Sequence, residues 1–194
     1  MKLRLLYLFF SGLALTLVIG GCSPQDSKPA ASAAKREVSL TTVAAQAKGF
    51  SAGALMSANV VYVFFDTQCP HCGHLWEAST ALQRKVKFVW IPVRMINGTS
   101  LAQGAALLTA LDPVALMSEH EASLLAGKGG ISASSSVASE IEKSITANTQ
   151  MLNSFGAEAV PFVVAKNLKT GQTVTRDGAM SPTELAAFLG LELP

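Results

Sequence analysis

The sequence predicts an α/β fold in which a β-α-β half and a β-β-α half are separated by a helical insertion. Val60–Phe65 and Val86–Ile91 are runs of apolar, β-branched and aromatic side chains, which are typical of strands buried on both faces. Helical patterns occupy residues 100–155, and two further short strands with a final helix follow them. The order of these blocks defines the predicted fold class.

The first half of the predicted fold ends at the second of these buried strands. Residues 38–58 contain scattered apolar side chains interrupted by glycines, and we expect a short strand or helix that leads into the core. The helix between the two buried strands should begin at Pro70, because proline is tolerated in the first helical turn and Leu75, Trp76 and Leu82 recur at helical spacing. Two strands joined by one helix predict a parallel pair with a right-handed crossover.

The predicted insertion consists of three helices and one loop. Ser100 is expected to cap a first helix over 100–111, and Asp112-Pro113 ends that helix and begins a second one that runs to about residue 125. The glycine- and serine-rich segment 127–136 is predicted to be a loop, and a third helix is predicted over 137–155.

The second half begins with a strand at Pro161–Ala165, a turn at 167–172 and an antiparallel strand at Thr173–Arg176. Ser181-Pro182-Thr183-Glu184 combines an N-cap serine, a proline at the first helical position and a capping-box glutamate, which predicts the start of the last helix. This order of elements is the thioredoxin arrangement with a helical subdomain inserted in its middle. We assign residues 38–194 to this single domain.

The N-terminal segment has the pattern of a bacterial export signal. Basic residues precede the apolar stretch Leu5–Ile19, which is short for a membrane span, and we assign residues 1–21 to a signal peptide. The sequence Ile19–Cys22 resembles a lipobox, so Cys22 is the expected lipidation site; ordinary secretion and an uncleaved anchor are the alternatives. Residues 22–37 are small and polar and contain proline, as expected of a flexible tether. The domain is therefore expected to work outside the cytoplasm.

Cysteine content and charge restrict the function classes. The chain has 3 cysteines, so lipidation of Cys22 leaves only Cys69 and Cys72, which excludes a framework of several disulfides. An isolated close pair in an oxidising compartment favours redox chemistry. The formal net charge of +2 falls to zero when Lys2 and Arg4 leave with the signal peptide, which gives no reason to expect nucleic acid as a partner.

The cysteine pair lies in the stretch "QCPHCGH" at Gln68–His74. Haem attachment requires a histidine directly after the second cysteine, and Gly73 occupies that position. An inert structural disulfide is a poor interpretation, because closing so short a loop restrains the unfolded chain little. The pair therefore either binds a metal or undergoes redox exchange.

A metal site is the alternative interpretation of the same residues. A structural zinc site normally uses two separated ligand pairs, and no second cysteine pair exists in the sequence. Cys69 and Cys72 with His71 or His74 could still hold copper or zinc, as in a metal-binding chaperone. A redox-inactive protein-binding module is a third possibility.

Redox exchange is the interpretation that the local sequence favours. If a helix begins at Pro70, Cys69 lies at its N-terminus, where free backbone N–H groups and the helix dipole favour a thiolate. Cys72 lies one turn further and can resolve a mixed disulfide formed at Cys69. The dipole contributes roughly 0.3 to 2 kcal/mol, whereas lowering a thiol pKa by two or three units requires about 3 to 4 kcal/mol. We therefore expect His71, next to Pro70 in the motif, to tune the redox properties.

Three segments resemble a known family: "VYVFFDTQCPHCGHLW" at 61–76, "FVWIPVRMINGTSLAQGAALLTALDP" at 88–113 and "NTQMLNSFGAEAVPFVV" at 148–164. They are similar to the catalytic domain of the DsbC/DsbG group of periplasmic thiol:disulfide oxidoreductases, and closer to DsbG. The resemblance spans roughly residues 41–191. It implies a thioredoxin fold and an extracytoplasmic role in disulfide exchange. We expect no cofactor.

The resemblance also assigns further residues and partners. It implies that the Val160-Pro161 bond is cis and faces the active site, with the Val160 backbone pairing with an extended substrate segment. Implied partners are proteins with thiols or disulfides, a membrane redox protein of the DsbD or DsbB type, and the membrane itself through the lipid anchor. The chain departs from DsbC and DsbG in its short segment before the thioredoxin part, where those proteins carry a dimerisation domain. Pro70-His71 and the valine before Pro161 are similar to DsbA, so the direction of electron flow stays open.

Overall fold

The structure is a computed structural model, and it describes residues 37–193. Its strands are β1 (Phe50–Gly53), β2 (Val60–Phe65), β3 (Lys87–Pro92), β4 (Phe162–Lys166) and β5 (Thr173–Asp177). Its helices are α1 (Leu40–Gln46), α2 (Pro70–Ser79), α3 (Thr99–Thr109), α4 (Pro113–Leu125), α5 (Ser139–Ser154) and α6 (Pro182–Leu189), with a 3-10 turn at Thr80–Leu82 after α2.

The strands form one mixed sheet in the order β1-β3-β2-β4-β5. β2 and β3 are parallel and are joined through α2, whereas β4 pairs antiparallel with both β2 and β5. The predicted β-α-β unit, the C-terminal hairpin and the inserted helices α3 to α5 are thus confirmed. The segment predicted as a strand or a helix before the core contains both, and β1 adds an antiparallel edge next to β3.

The sheet separates two apolar clusters, as the alternation of side chains along β2 requires. Val61, Val63 and Phe65 face the cluster that includes the cysteine pair, while Phe64 faces the opposite one. The first cluster is covered by side chains of α2, α4 and α6, and the second by side chains of α1 and α5. The cysteines therefore lie between the central strands and the inserted helix α4.

Helix termini show where local sequence signals act as expected. Ser181 and Glu184 form the predicted capping box at α6, with the Ser181 N–H donating to Glu184 Oε2 over 2.8 Å. Asp112 caps α4 by accepting a hydrogen bond from the Ala115 N–H over 3.0 Å. Both helices start where the sequence predicted.

The predicted cap at Ser100 is wrong. Helix α3 begins one residue earlier, at Thr99, with Gly98 in the cap position and no side-chain cap. The Ser100 hydroxyl instead donates to Asp66 Oδ1 over 2.7 Å, in the buried loop before the cysteines. A long-range carboxylate partner therefore replaces the local capping interaction.

The predicted export signal (1–21), the lipidation site Cys22 and nearly all of the tether (22–37) lie outside the described residues. Within residues 37–193, none of the helices combines the length and the apolar character that a membrane crossing needs.

Candidate active site

Cys69 and Cys72 are presented at the start of α2, directly beyond the carboxyl end of β2. Cys69 is the N-cap residue, with an extended backbone (φ −101°, ψ 108°), and Pro70 occupies the first helical turn. The Cys72 N–H donates to the Cys69 carbonyl over 2.9 Å, so the two residues close the first turn. Both cysteines are free thiols. The chain enters the helix at Cys69 because proline needs no backbone partner there.

The pKa values of the two thiols are shifted in opposite directions. A hydrogen bond from the Cys72 thiol lowers the pKa of Cys69 to about 7, with help from the backbone N–H groups of Cys72 and His71 and against the effect of burial. Burial, followed by the interaction with Cys69, raises the pKa of Cys72 well above its usual range. Cys69 keeps 5% of its surface exposed and Cys72 none. At neutral pH a large fraction of Cys69 is therefore thiolate, whereas Cys72 keeps its proton.

The Val160-Pro161 segment lies next to the Cys69 sulfur. The peptide bond between them is cis, and the Cys69 thiol donates to the Val160 carbonyl over 3.3 Å. Pro161 is buried, whereas Val160 is only partly buried. The fold thus brings Val160 and Cys69 together although they are 91 positions apart in the chain.

The two histidines of the motif lie on the outer side of α2. His71 and His74 are exposed, and their ring centroids are 6.4 Å apart. His74 Nδ1 is 3.8 Å from Glu77 Oε2, a solvent-exposed contact. The contribution of His71 to the lowered pKa of Cys69 comes from its backbone N–H. Redox tuning by the His71 imidazole stays a prediction.

The loop between β2 and α2 is organised by Asp66, which is fully buried. Its Oδ2 accepts hydrogen bonds from the N–H groups of Met95 and Ile96 at 2.7 and 3.0 Å. Its Oδ1 accepts from the Gln68 N–H at 2.9 Å and from the Ser100 hydroxyl at 2.7 Å. These four bonds hold the loop that orients Cys69.

His120 supports the same loop from α4, and sequence reasoning assigned it no role. It is fully buried, its Nε2 lies 2.7 Å from the Thr67 carbonyl, and the Ile131 N–H donates to its Nδ1 over 3.2 Å. This arrangement requires the neutral tautomer with the proton on Nε2. Burial lowers the pKa of His120, which agrees with a neutral ring.

Glu121 is the second residue that sequence reasoning missed. Its side chain is 1% exposed, and within the described part of the chain neither carboxylate oxygen has a hydrogen-bond partner. Burial, then the charge of Cys69, raises its pKa to about 8. One sequence signal was present: Glu121 is four residues from both Met117 and Leu125, so it shares the helix face of two apolar residues.

The metal alternative finds no support in the structure. Among residues 37–193, no group of three or more histidine, cysteine, aspartate or glutamate side chains is arranged to hold an ion. The exposed positions of His71 and His74, on the side of α2 away from buried Cys72, explain why these four residues do not converge.

No protein-family model matches the chain. The chain is 33% identical over 134 residues to the thiol:disulfide interchange protein DsbG of Pseudomonas aeruginosa, a match that covers 68% of this chain and 51% of that protein. It is 30% identical over 106 residues to the protein of the same name from Escherichia coli K12, covering 54% of this chain and 42% of that protein. The chain thus spans about half the length of the curated relatives that it matches.

A solved structure shares the fold at lower identity. The catalytic domain of Proteus mirabilis ScsC superposes with a TM-score of 0.61 at 17% identity, covering 77% of this chain and 96% of that domain. The element order and this likeness define a thioredoxin-fold protein with a helical insertion. With the curated relatives, they show that the chain belongs to a DsbC/DsbG-like family.

Proposed function

We propose that the protein is a thiol:disulfide oxidoreductase that exchanges disulfides with cysteine-containing proteins through the CPHC motif. The observation that carries the proposal is the asymmetry of the pair: Cys69 caps a helix with its pKa lowered to about 7, while Cys72 is buried with its pKa raised. At neutral pH a large fraction of Cys69 is thiolate, and the thiolate is the species that attacks disulfides. An inert structural pair would not need this difference.

The exchange proceeds in two steps that can run in either direction. The Cys69 thiolate attacks one sulfur of a substrate disulfide, which forms a Cys69–substrate bond and releases the other substrate sulfur as a thiolate. Cys72 then loses its proton and attacks Cys69, which forms the Cys69–Cys72 disulfide and releases the second substrate thiolate. The substrate gains two electrons and the pair loses two. In the reverse direction, the protein oxidises a substrate dithiol.

The Val160-Pro161 segment is the proposed binding site for substrate backbone. An extended segment next to Val160 would place its cysteine opposite Cys69, whose sulfur is 3.3 Å from the Val160 carbonyl. Pro70 and His71 are the proposed tuning residues, since they lie between the two cysteines. Val160→Ala should weaken substrate binding less than loss of the main-chain hydrogen bonds at residue 160 would, because the proposed contacts involve main-chain atoms.

The proposed site of action is the bacterial periplasm, with the protein held to a membrane through lipid on Cys22. The lipobox-like sequence before Cys22 supports the anchor. A membrane redox protein of the DsbD or DsbB type is the proposed partner that resets the pair. Cys22→Ala should abolish incorporation of labelled fatty acid into the protein in a bacterial host; label retained by the variant would contradict lipidation at this residue.

The proposed function is tested by trapping the mixed disulfide. The reduced Cys72→Ser variant should accumulate a covalent adduct with an oxidised substrate protein that reductant reverses, because Cys69 can attack but nothing resolves the bond. The matched Cys69→Ser variant should form little or no adduct. Equal adduct in both variants, or none in either with the wild type also inactive, would contradict the proposal. Equilibration of the wild type with glutathione then gives the reduction potential and hence the favoured direction.

The role of His71 is tested separately by titrating the thiolate absorbance of reduced protein. His71→Ala should raise the pKa of Cys69 if the imidazole stabilises the thiolate. His74→Ala is the matched control, because it removes an exposed histidine from the same helix one turn further on. Equal pKa values in wild type and His71→Ala would leave only the backbone N–H as the contribution of residue 71.

A further inference from the structure

Glu121 is a buried acid on the inserted helix α4. This helix packs against α2, the helix that begins at the cysteine pair. Its carboxylate points at the first turn of α2, because a Cβ on residue 73 would lie 2.6 Å from Glu121 Oε2. Gly73 directly follows Cys72 in the chain. The glycine thus provides the space that the carboxylate occupies, beside the backbone of the resolving cysteine.

The carboxylate has no structural partner that would explain its burial. It is 1% exposed, both oxygens lack hydrogen-bond partners in the part of the chain that the structure describes, and its charged neighbours are acidic. The titratable groups that interact with it from α2 and its N-cap are Cys69, Cys72 and Glu77, all of which are acids. His120, next to it on α4, is neutral and bonded to backbone groups elsewhere. A buried unpaired acid costs stability and is commonly found where a proton is handled.

The resolving step needs a proton acceptor inside the protein. Cys72 must lose its proton before it can attack Cys69, and its side chain has no exposed surface through which solvent could take that proton. Cys69 cannot accept the proton, because its sulfur is already bonded to the substrate at that stage. The acceptor must therefore be a group inside the protein, and Glu121, on the helix α4 that packs against α2, is an unpaired acid close to the first turn of α2.

We propose that Glu121 is the proton-transfer residue for Cys72. In the resolving step the Cys72 proton moves to the Glu121 carboxylate, the Cys72 sulfur forms its bond with Cys69, and the substrate leaves as a thiolate. In the reverse direction, Glu121 returns the proton to Cys72 as that sulfur is released. This inference rests on the proposed function, since it assigns a step of that exchange.

The charge of Cys69 makes the timing of this transfer favourable. Burial and, after it, the charge of the Cys69 thiolate raise the pKa of Glu121 to about 8 in the reduced protein, so the carboxyl is mostly protonated at neutral pH. Formation of the mixed disulfide removes the negative charge from Cys69, so the pKa of Glu121 falls at that moment. Burial still raises the pKa of Glu121, but the ionised fraction of its carboxyl increases at the stage when Cys72 requires a base.

The test uses stopped-flow release of a coloured nitrobenzoate thiolate from its symmetrical disulfide. The protein carries Cys22→Ala, so that Cys69 and Cys72 are its only thiols. Mixing with this reduced protein gives two phases: Cys69 releases the first thiolate, and Cys72 releases the second. Glu121→Gln should slow the second phase by about 10² at neutral pH, while the first phase changes by less than about threefold. The loss should shrink at high pH, where hydroxide that reaches Cys72 during transient openings of the site can take its proton. Glu119→Gln, an exposed acid on the same helix, is the matched control and should leave both phases unchanged.

The possible outcomes separate the two proposals. A normal first phase with an unchanged second phase and pH profile in Glu121→Gln overturns the role of Glu121 alone. Absence of the first phase in the wild type overturns the proposed function. If Glu121→Gln does not fold, Glu121→Asp decides, since a shorter acid should retain a pH-dependent second phase at a reduced rate. A second phase in the aspartate variant equal to that of the wild type at every pH would count against proton transfer at this distance.

Discussion

The pKa of Glu121 makes a prediction about stability that does not involve the redox reaction. In the folded protein the carboxyl keeps its proton up to about pH 8, whereas an exposed glutamate releases it near pH 4.5. Between these values the unfolded chain binds fewer protons than the folded one, so stability falls as pH rises. From pH 4.5 to 6.5 the loss amounts to about 2 kcal/mol, because the slope starts at about half of 1.36 kcal/mol per pH unit, where the unfolded glutamate is half protonated, and approaches the full value by the end of the window. Glu121→Gln cannot titrate and should not show this loss.

The measurement is urea unfolding of the reduced wild type and of Glu121→Gln at several pH values, followed by the fluorescence of the buried Trp76 and Trp90. The chosen window lies below the lowered pKa of Cys69, so the thiols contribute little. His120 titrates in both proteins and cancels in the difference. The stability of the wild type relative to the variant should therefore fall by about 2 kcal/mol across the window. A difference that is constant to within about 0.5 kcal/mol would refute the raised pKa.

Three further predictions concern neighbouring residues. Gly73→Ala should displace the Glu121 carboxylate and slow the attack of Cys72 by about tenfold, seen as a slower second phase of thiolate release; an unchanged second phase would mean that the carboxylate position is irrelevant. His120→Ala should lower the free energy of unfolding in urea by about 3 kcal/mol, because two buried backbone groups lose their partner. A loss below about 1 kcal/mol would contradict the proposal that His120 stabilises the loop before the cysteines. Ser181→Ala should cost about 1 kcal/mol in the same assay with exchange rates unchanged, and altered rates would contradict a purely capping role.

The elements that could be predicted from the sequence are those specified by local patterns. The run Val60–Phe65 gives a strand with those bounds, because a continuous apolar and β-branched segment fits a central position in a sheet. The helix at Pro70 and the capping box at Ser181 depend only on residues within one turn. The same locality explains why Cys69 and Cys72 could be identified, since one helical turn relates them.

The residues that could not be predicted depend on contacts between distant segments. Ser100 has the composition of a helix cap, yet the buried Asp66, 34 positions away, takes its hydroxyl. The role of His120 depends on the Thr67 carbonyl, 53 positions away. These contacts depend on how α3 and α4 pack against the loop between β2 and α2. Local sequence patterns do not predict that packing.

The inserted helix α4 has a chemical consequence as well as a structural one. By covering the first turn of α2 it removes Cys72 from solvent, and burial then raises the pKa of that thiol. A thiol that resists ionisation protects the mixed disulfide from premature resolution, but it also blocks the reaction unless an internal base is supplied. Glu121 comes from the same helix that creates the need for it. The insertion therefore both imposes the barrier at Cys72 and provides the group that lowers it.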